Sequence, residues 1–295
     1  MNTYTPVLPN NFGGLPEEYS SYKNSRAVIF PVPLERTTSY MTGTRNGPAA
    51  IIAASRNMET YDEELRIETY TRMGIHTLAP IDTQEGALEQ VMAQIHTTAL
   101  ALLQDGKFPV ALGGEHSLTG PLVAAAFKKF PGLSVLQIDA HADLRESYHD
   151  TPLSHAAVMR RVVEMCPAVQ VGIRSISAEE AAAIPQLPTK IYWGKDIVSA
   201  PLDSWVPRVV NDLSDDVYIT VDLDGFDPAY IPATGTPEPG GLDWNQVTTL
   251  IREVAAKKNI VAMDVVELLP QPGQHASDFL AAKLIYKCLG YIFCR

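Results

Sequence analysis

Ser134-Val135-Leu136-Gln137-Ile138-Asp139-Ala140-His141-Ala142-Asp143-Leu144-Arg145 is the stretch from which the fold of this chain can be read. It opens as an apolar run of the kind that forms a strand buried on both faces of a parallel sheet. It closes with Asp139, His141 and Asp143 at i, i+2 and i+4. On an extended backbone, side chains two apart leave on one face, whereas a helix scatters them. The spacing therefore predicts three polar side chains projecting together from the end of a strand.

The pattern recurs. Val217-Tyr218-Ile219-Thr220-Val221 runs into Asp222-Leu223-Asp224-Gly225-Phe226-Asp227-Pro228, where Gly225 and Pro228 break the strand. Residues 108–112 run into Gly113-Gly114-Glu115-His116-Ser117, and residues 260–266 end at Glu267. Four predicted strands thus carry ionisable residues at their C-terminal ends, the edge at which open α/β sheets bind ligands.

Outward from these strands, the chain alternates strand and helix. A first strand at 27–30 is expected to stop at Pro31, and Pro48 opens a helix through residue 58. Residues 61–72 are charged and ambiguous, and 74–78 reads as an edge strand. Asp82, with Glu85 as capping-box partner, is expected to start a long helix whose apolar stripe is Leu88, Val91, Met92, Ile95, Leu100 and Leu103. Helices follow at 117–130 and up to residue 165, and a strand at 169–173. Ser177 and Glu180 form a second capping box, and Asp243 with Gln246 caps a helix to residue 257. Strands at 191–193 and 217–222, and helices at 203–213 and 277–289, complete the alternation. Short connections between alternating elements predict an α/β fold with a mainly parallel sheet covered by helices on both faces. No linker divides it, so residues 1–295 read as a single domain, with the polar, turn-rich segment 1–25 on the surface.

Composition narrows the partners. The 295 residues carry 23 basic and 34 acidic side chains, for a formal charge of −11. That balance argues against nucleic acid and against an anionic membrane, and it suits a small cationic substrate. The 46% hydrophobic content supports a sizeable core, yet no apolar run reaches the ~18 residues of a spanning helix. Cys166, Cys288 and Cys294 form no Cys-x-x-Cys, which fits free thiols in a reducing cytoplasm, and the N-terminus lacks the basic and apolar regions of a signal peptide.

The strand-end residues form a donor set: His116, Asp139, His141, Asp143, Asp222 and Asp224. Oxygen-rich sites with some imidazole and no thiolate favour hard or borderline metals such as manganese. Four carboxylates match the charge of two divalent cations. Six residues cannot fill two separate shells, so carboxylates bridge and a water completes the set. A water held between two such ions ionises near neutral pH. Taken alone, His116 after Gly-Gly could be structural, and Asp227 before Pro228 reads as a turn former. Two Asp/His runs, each after a β-rich run, argue against a purely structural cluster, because crowded carboxylates resist burial without cations.

These residues resemble the ureohydrolase family of arginases, agmatinases and their relatives, over residues 25–290. Gly113-Gly114-Glu115-His116-Ser117 looks like its first motif, with Glu115 where many members carry Asp; Asp139-Ala140-His141-Ala142-Asp143 and Asp222-Leu223-Asp224-Gly225-Phe226-Asp227-Pro228 look like the second and third. Gly235-Thr236-Pro237-Glu238-Pro239-Gly240-Gly241 and Met263-Asp264-Val265-Val266-Glu267 complete the pattern. The resemblance implies a three-layer α/β/α arginase-like fold, a homotrimer or homohexamer, and two Mn2+ ions per subunit. It implies that His116 and Asp143 bind one ion, that His141 and Asp224 bind the other, and that Asp139 and Asp222 bridge. Asp143 counts also among the catalytic residues. Glu267 would bind the substrate guanidinium, and His155 would contact substrate and protonate the leaving amine, with His149 as its competitor.

The loop 144–153 does not match the α-amino-acid readers of arginases, so the resemblance points to an agmatinase, which releases urea and putrescine and so serves polyamine biosynthesis. Glu146 or Asp150 could receive the distal amine of agmatine. Arg145 could instead recruit a carboxylate, which keeps guanidinobutyrase, arginase and formimidoylglutamase activities as alternatives. A non-catalytic protein that keeps the fold for binding would be marked by lost ligands, and all six are present.

Overall fold

The computed structural model describes residues 9–294. Its spine is one sheet of eight strands: β1 (Ala27–Val32), β2 (Ile75–Thr77), β3 (Phe108–Gly113), β4 (Ser134–Ile138), β5 (Ala168–Ile173), β6 (Thr189–Trp193), β7 (Asp216–Asp222) and β8 (Asn259–Val266). They lie in the order β2-β1-β3-β8-β7-β4-β5-β6, and every neighbouring pair is parallel. The near-continuous apolar runs follow from this, because β1, β3, β4 and β5 are buried along their whole length.

Two apolar cores flank the sheet. On one face pack helices Gly47–Ser55, Leu202–Asp212, Trp244–Lys257 and Ala276–Phe293, through Ile51, Val206, Val247 and Leu284. On the other pack helices Leu88–Gln104, Thr119–Lys129 and Val158–Val163, through Val91, Leu122 and Val158. Burying each such Val, Ile or Leu contributes about 1.5–3 kcal/mol. The result is the three-layer α/β/α arrangement expected.

Several boundaries differ from the sequence reading, each for a physical reason. β1 continues through Pro31. The amide of Ala27 and the carbonyls of Ile29 and Pro31 bond on the β2 side, and β2 ends at Thr77, so the proline nitrogen faces the open edge beyond it and costs no ladder bond. The helix expected from Asp82 begins only at Leu88. Asp82 instead accepts the Gln84 amide, Gly86 takes a φ of 78°, and the Gln90 side chain accepts from the Ala87 amide. The charged stretch after residue 60 forms a small antiparallel pair, Tyr61–Asp62 with Ile67–Glu68, then a helical turn. Of the predicted surface segment, residues 1–8 lie outside the described residues. Beyond them the segment is not all surface, since Phe12 and Leu15 are buried in the first core.

Candidate metal centre

β3, β8, β7 and β4 are adjacent at the centre of the sheet, and their C-terminal ends share one edge. A parallel sheet makes this convergence unavoidable: residues that follow four neighbouring strands must meet above it. Two glycines let the loops close. A Cβ on Gly114 would lie 2.0 Å from the Leu34 carbonyl oxygen, and one on Gly225 would lie 2.8 Å from the Asp139 amide nitrogen. Only a bare backbone can bring the Asp224 loop down onto the end of β4. Arg174, just beyond β5, clamps that loop from outside by donating to the carbonyls of Asp224 (2.6 Å), Phe226 (3.2 Å) and Glu238 (2.7 Å).

The six predicted donors meet there. His116 Nδ1 lies 3.1 Å from Asp139, 3.0 Å from Asp143 and 3.4 Å from Asp222. His141 Nδ1 lies 3.0 Å from Asp224 and 3.8 Å from Asp139. Two compact groups result, His116–Asp139–Asp222 and Asp139–His141–Asp224, with Asp139 common to both. The three candidate ligands after β4 do not simply continue an extended strand. β4 ends at Ile138, and Asp143 adopts a left-handed φ of 54°, which turns its carboxylate back onto His116. Glu267, beyond β8, has a left-handed φ of 64°, and its carboxylate accepts the His116 amide at 2.6 Å.

The electrostatics fit divalent cations. Burial, reinforced by Asp224 and Asp143, pushes Asp139 up to about 7. Burial with Asp224 and Asp139 beside it raises Asp222 well above the usual carboxylate range. Burial opposes charge on His141, yet the carboxylates of Asp224 and Asp139 hold its ring up at about 11. Such a cluster of acids is self-opposing until positive charge sits between them. His116 supplies the second sign. Its Nδ1 is buried among three carboxylates without an aligned hydrogen bond, while its Nε2 lies 2.8 Å from the Thr220 hydroxyl. Thr220 in turn donates to Asp264 at 2.6 Å, and Asp264 also accepts from Tyr218 at 2.6 Å and Thr119 at 3.0 Å. With the Thr220 proton committed to Asp264, Nε2 carries the ring hydrogen and Nδ1 presents a lone pair to the cluster. The donor set and its support fit two hard cations.

His155 and Glu267 line the same cavity as His116, His141, Asp143, Asp222 and Asp224. His149 does not; it is exposed and meets the Tyr148 ring edge-on, with centroids 4.2 Å apart. Asp227 serves its loop, accepting the amides of Ala229, Gly240 and Gly241. Glu146, one candidate for the substrate tail, is turned away into ion pairs with Arg160 and Arg161, and Asp150 is exposed away from the cavity lining. Arg145, Tyr148 and Glu180 line the cavity instead. Thr37, Thr220, Asp264 and Arg174 escaped the sequence reading. Only Asp264 stood in a motif, and nothing local to a threonine in a loop or a strand reveals that tertiary packing will set it against a histidine.

Comparison with known proteins agrees with this geometry. Residues 25–290 match the model of the Arginase family. The N(1)-aminopropylagmatine ureohydrolase of Synechocystis sp. is 36% identical, across 96% of this chain and 96% of its own length. The agmatinase of Bacillus anthracis is 36% identical, across 86% of this chain and 87% of its own. Among solved structures, the agmatine ureohydrolase of Thermoplasma volcanium superposes with a TM-score of 0.85 at 31% identity, covering 96% of this chain and 94% of that one. Enzymes of this family depend on a binuclear metal centre and act on guanidino substrates, and the two Asp/His groups that share Asp139 are candidate ligands for such a centre. The chain therefore belongs to the arginase family and is a ureohydrolase.

Proposed function

We propose that this ureohydrolase cleaves the guanidinium of a linear, amine-tailed guanidine, agmatine or its N1-aminopropyl derivative, to urea and the corresponding amine. For agmatine that amine is putrescine. The observation that carries the reading is the pair of Asp/His groups sharing Asp139, set in one cavity with Glu267 and His155. His116 and Asp143 would hold one manganese ion and His141 and Asp224 the other, with Asp139 and Asp222 between them. The two cations, when bound, supply the acidification of a water so that it attacks at neutral pH.

The chain's own residues do the rest. The Glu267 carboxylate is partly open to the cavity, and its planar geometry suits two N–H donors of a guanidinium. Its backbone is fixed by donating to the Gly114 carbonyl at 2.8 Å, so the substrate carbon is positioned rather than merely attracted. Attack on that carbon makes a tetrahedral centre, whose collapse to urea expels an amine that must gain a proton. His155, the histidine of the cavity lining that lies outside the donor set, would make that transfer. Burial holds its ring below the usual histidine value despite Asp143 nearby, so at neutral pH it stands as the neutral base, able to take the proton released by the attacking oxygen and pass it to the leaving amine.

The relatives support the amine-tailed class, since their names include both N(1)-aminopropylagmatine ureohydrolase and agmatinase. One observation favours a second reading: Arg145 lines the cavity and could meet a carboxylate tail, as in 4-guanidinobutyrate or formimidoylglutamate. Its charge is partly answered, however, by Glu180 at 4.0 Å and by the Tyr148 ring at 5.3 Å. We expect the enzyme to act in the cytoplasm as a trimer or hexamer of this chain. A manganese-supplemented panel tests the substrate. Urea release should be fastest from agmatine or N1-aminopropylagmatine, and faster turnover of arginine, 4-guanidinobutyrate or formimidoylglutamate would overturn the assignment.

A further inference from the structure

We infer that Glu115 and Thr37 are a positioning pair that fixes the tautomer of His155 and aims its Nε2 into the active-site cavity. Three separate segments meet here: the loop after β1 brings Thr37, the loop after β3 brings Glu115, and His155 opens the helical turn His155–Ala157. The Thr37 hydroxyl donates to Glu115 at 2.9 Å and lies 3.1 Å from His155 Nδ1. It also accepts the His155 backbone amide at 3.1 Å.

Counting protons decides the direction of each bond. Glu115 is fully buried and accepts from four donors: the amides of Arg36 and Thr37, both at 2.6 Å, and the hydroxyls of Thr37 and Ser117. A carboxylate so surrounded is an acceptor throughout. The single Thr37 hydroxyl proton is therefore spent on Glu115, and both oxygen lone pairs face His155, one for its amide and one for Nδ1. His155 must then carry a hydrogen on Nδ1, which leaves Nε2 as the nitrogen that exchanges protons in the cavity His155 lines. A ring free to flip or to change tautomer would spend part of its time with no exchangeable nitrogen toward the substrate. The two bonds from Thr37 hold backbone and ring of the same residue, so they fix where the ring sits as well as which nitrogen is protonated.

The inference rests on His155 being the proton donor, and the test separates the two ideas. Thr37→Val, Thr37→Ser, His155→Ala and the Thr37→Val/His155→Ala double variant are assayed as the manganese-loaded enzyme on agmatine or whichever panel compound is turned over, alongside metal content and thermal midpoint. Thr37→Val should lower kcat about 10- to 100-fold with KM changed by less than about threefold, a part of the ~100- to 10,000-fold that general acid–base catalysis supplies. Thr37→Ser, which keeps the hydroxyl, should restore kcat to near the parent value. In the double variant Thr37→Val should add almost nothing to His155→Ala, since a residue that acts through His155 has nothing left to act upon. An unaffected kcat in a folded, metal-loaded Thr37→Val protein would overturn the positioning role, as would an equal loss with and without His155. If His155→Ala itself left kcat unchanged, the proton-donor reading would fall and this inference with it.

Discussion

Replacing Thr220 by valine tests whether the metal centre is held from behind. Valine keeps the β-branched shape that β7 packs around, and removes only the hydroxyl between His116 Nε2 and Asp264. Thr220, Asp264 and His116 are at most 1% exposed, so no solvent can replace the lost bonds. The change leaves His116 Nε2 unpaired, at about 1–3 kcal/mol for a buried polar group without a partner, while the Asp264 carboxylate loses one donor and keeps the Tyr218 and Thr119 hydroxyls. The share felt by the metal is the loss of a fixed ring orientation and tautomer, which for partners behind a ligand is worth about 10- to 100-fold in affinity, or about 1.4–2.7 kcal/mol. His116 belongs to one of the two groups and not to the one formed by Asp139, His141 and Asp224. Calorimetric titration of manganese into chelator-treated protein should therefore show one site weakened by that factor while the other keeps its affinity to within a few-fold. A folded Thr220→Val protein with both affinities unchanged, or with both reduced alike, would refute the reasoning.

Two further perturbations probe other parts of the argument. Asp139→Asn removes charge from the one carboxylate common to both groups, so atomic absorption of the dialysed protein should find both ions depleted; full occupancy of either would contradict a shared role. Glu64 joins the residue 61–68 hairpin to the C-terminal helix through Lys287 (3.0 Å) and Tyr291 (2.7 Å), and to the preceding helix through Arg252 (2.7 Å). Burial alone would raise its carboxyl, but bonds from Arg252, Tyr291 and Lys287 hold it at about 2. A folded-state value below the unfolded one contributes stability above the unfolded carboxylate range that is lost as pH falls through the folded value. Glu64→Gln should thus be less stable by about 0.5–1 kcal/mol at pH 7, discounted for solvent screening of a side chain one-third exposed, and the gap should shrink below pH ~4.5 and close near pH 2. Chemical denaturation across that range would show it, and a gap that persisted at low pH would count against the ion-pair origin.

The amino-acid sequence by itself determined the strand–helix alternation, the fold class and the candidate donor set. Each of those is written locally. Apolar runs such as 134–138 have the length and content of buried strands, and candidate ligands such as Asp222 and Asp224 sit where those runs stop. Once the strands are parallel, their ends must lie on one edge, so even the clustering of His116, Asp139, His141, Asp143, Asp222 and Asp224 was implicit in the order of elements. Helix caps such as Ser177 with Glu180 and Asp243 with Gln246 were equally legible, because both partners lie within one turn.

What only the tertiary structure decided is every relation between residues far apart in the chain. The left-handed backbone that swings Asp143 onto His116 is imposed by surrounding packing, where period-two spacing alone predicted a simple extension of the strand. Glu146 looked available to a cationic tail until the neighbouring helix supplied Arg160 and Arg161 to occupy it. The support behind the two histidines is likewise long-range: Thr37 reaches His155 across 118 residues, and Thr220 reaches His116 across 104. A hydroxyl carries no periodic or compositional signature of its partner. Its role is set by which buried group packing leaves within a hydrogen bond of it, and that distance exists only once the sheet has closed.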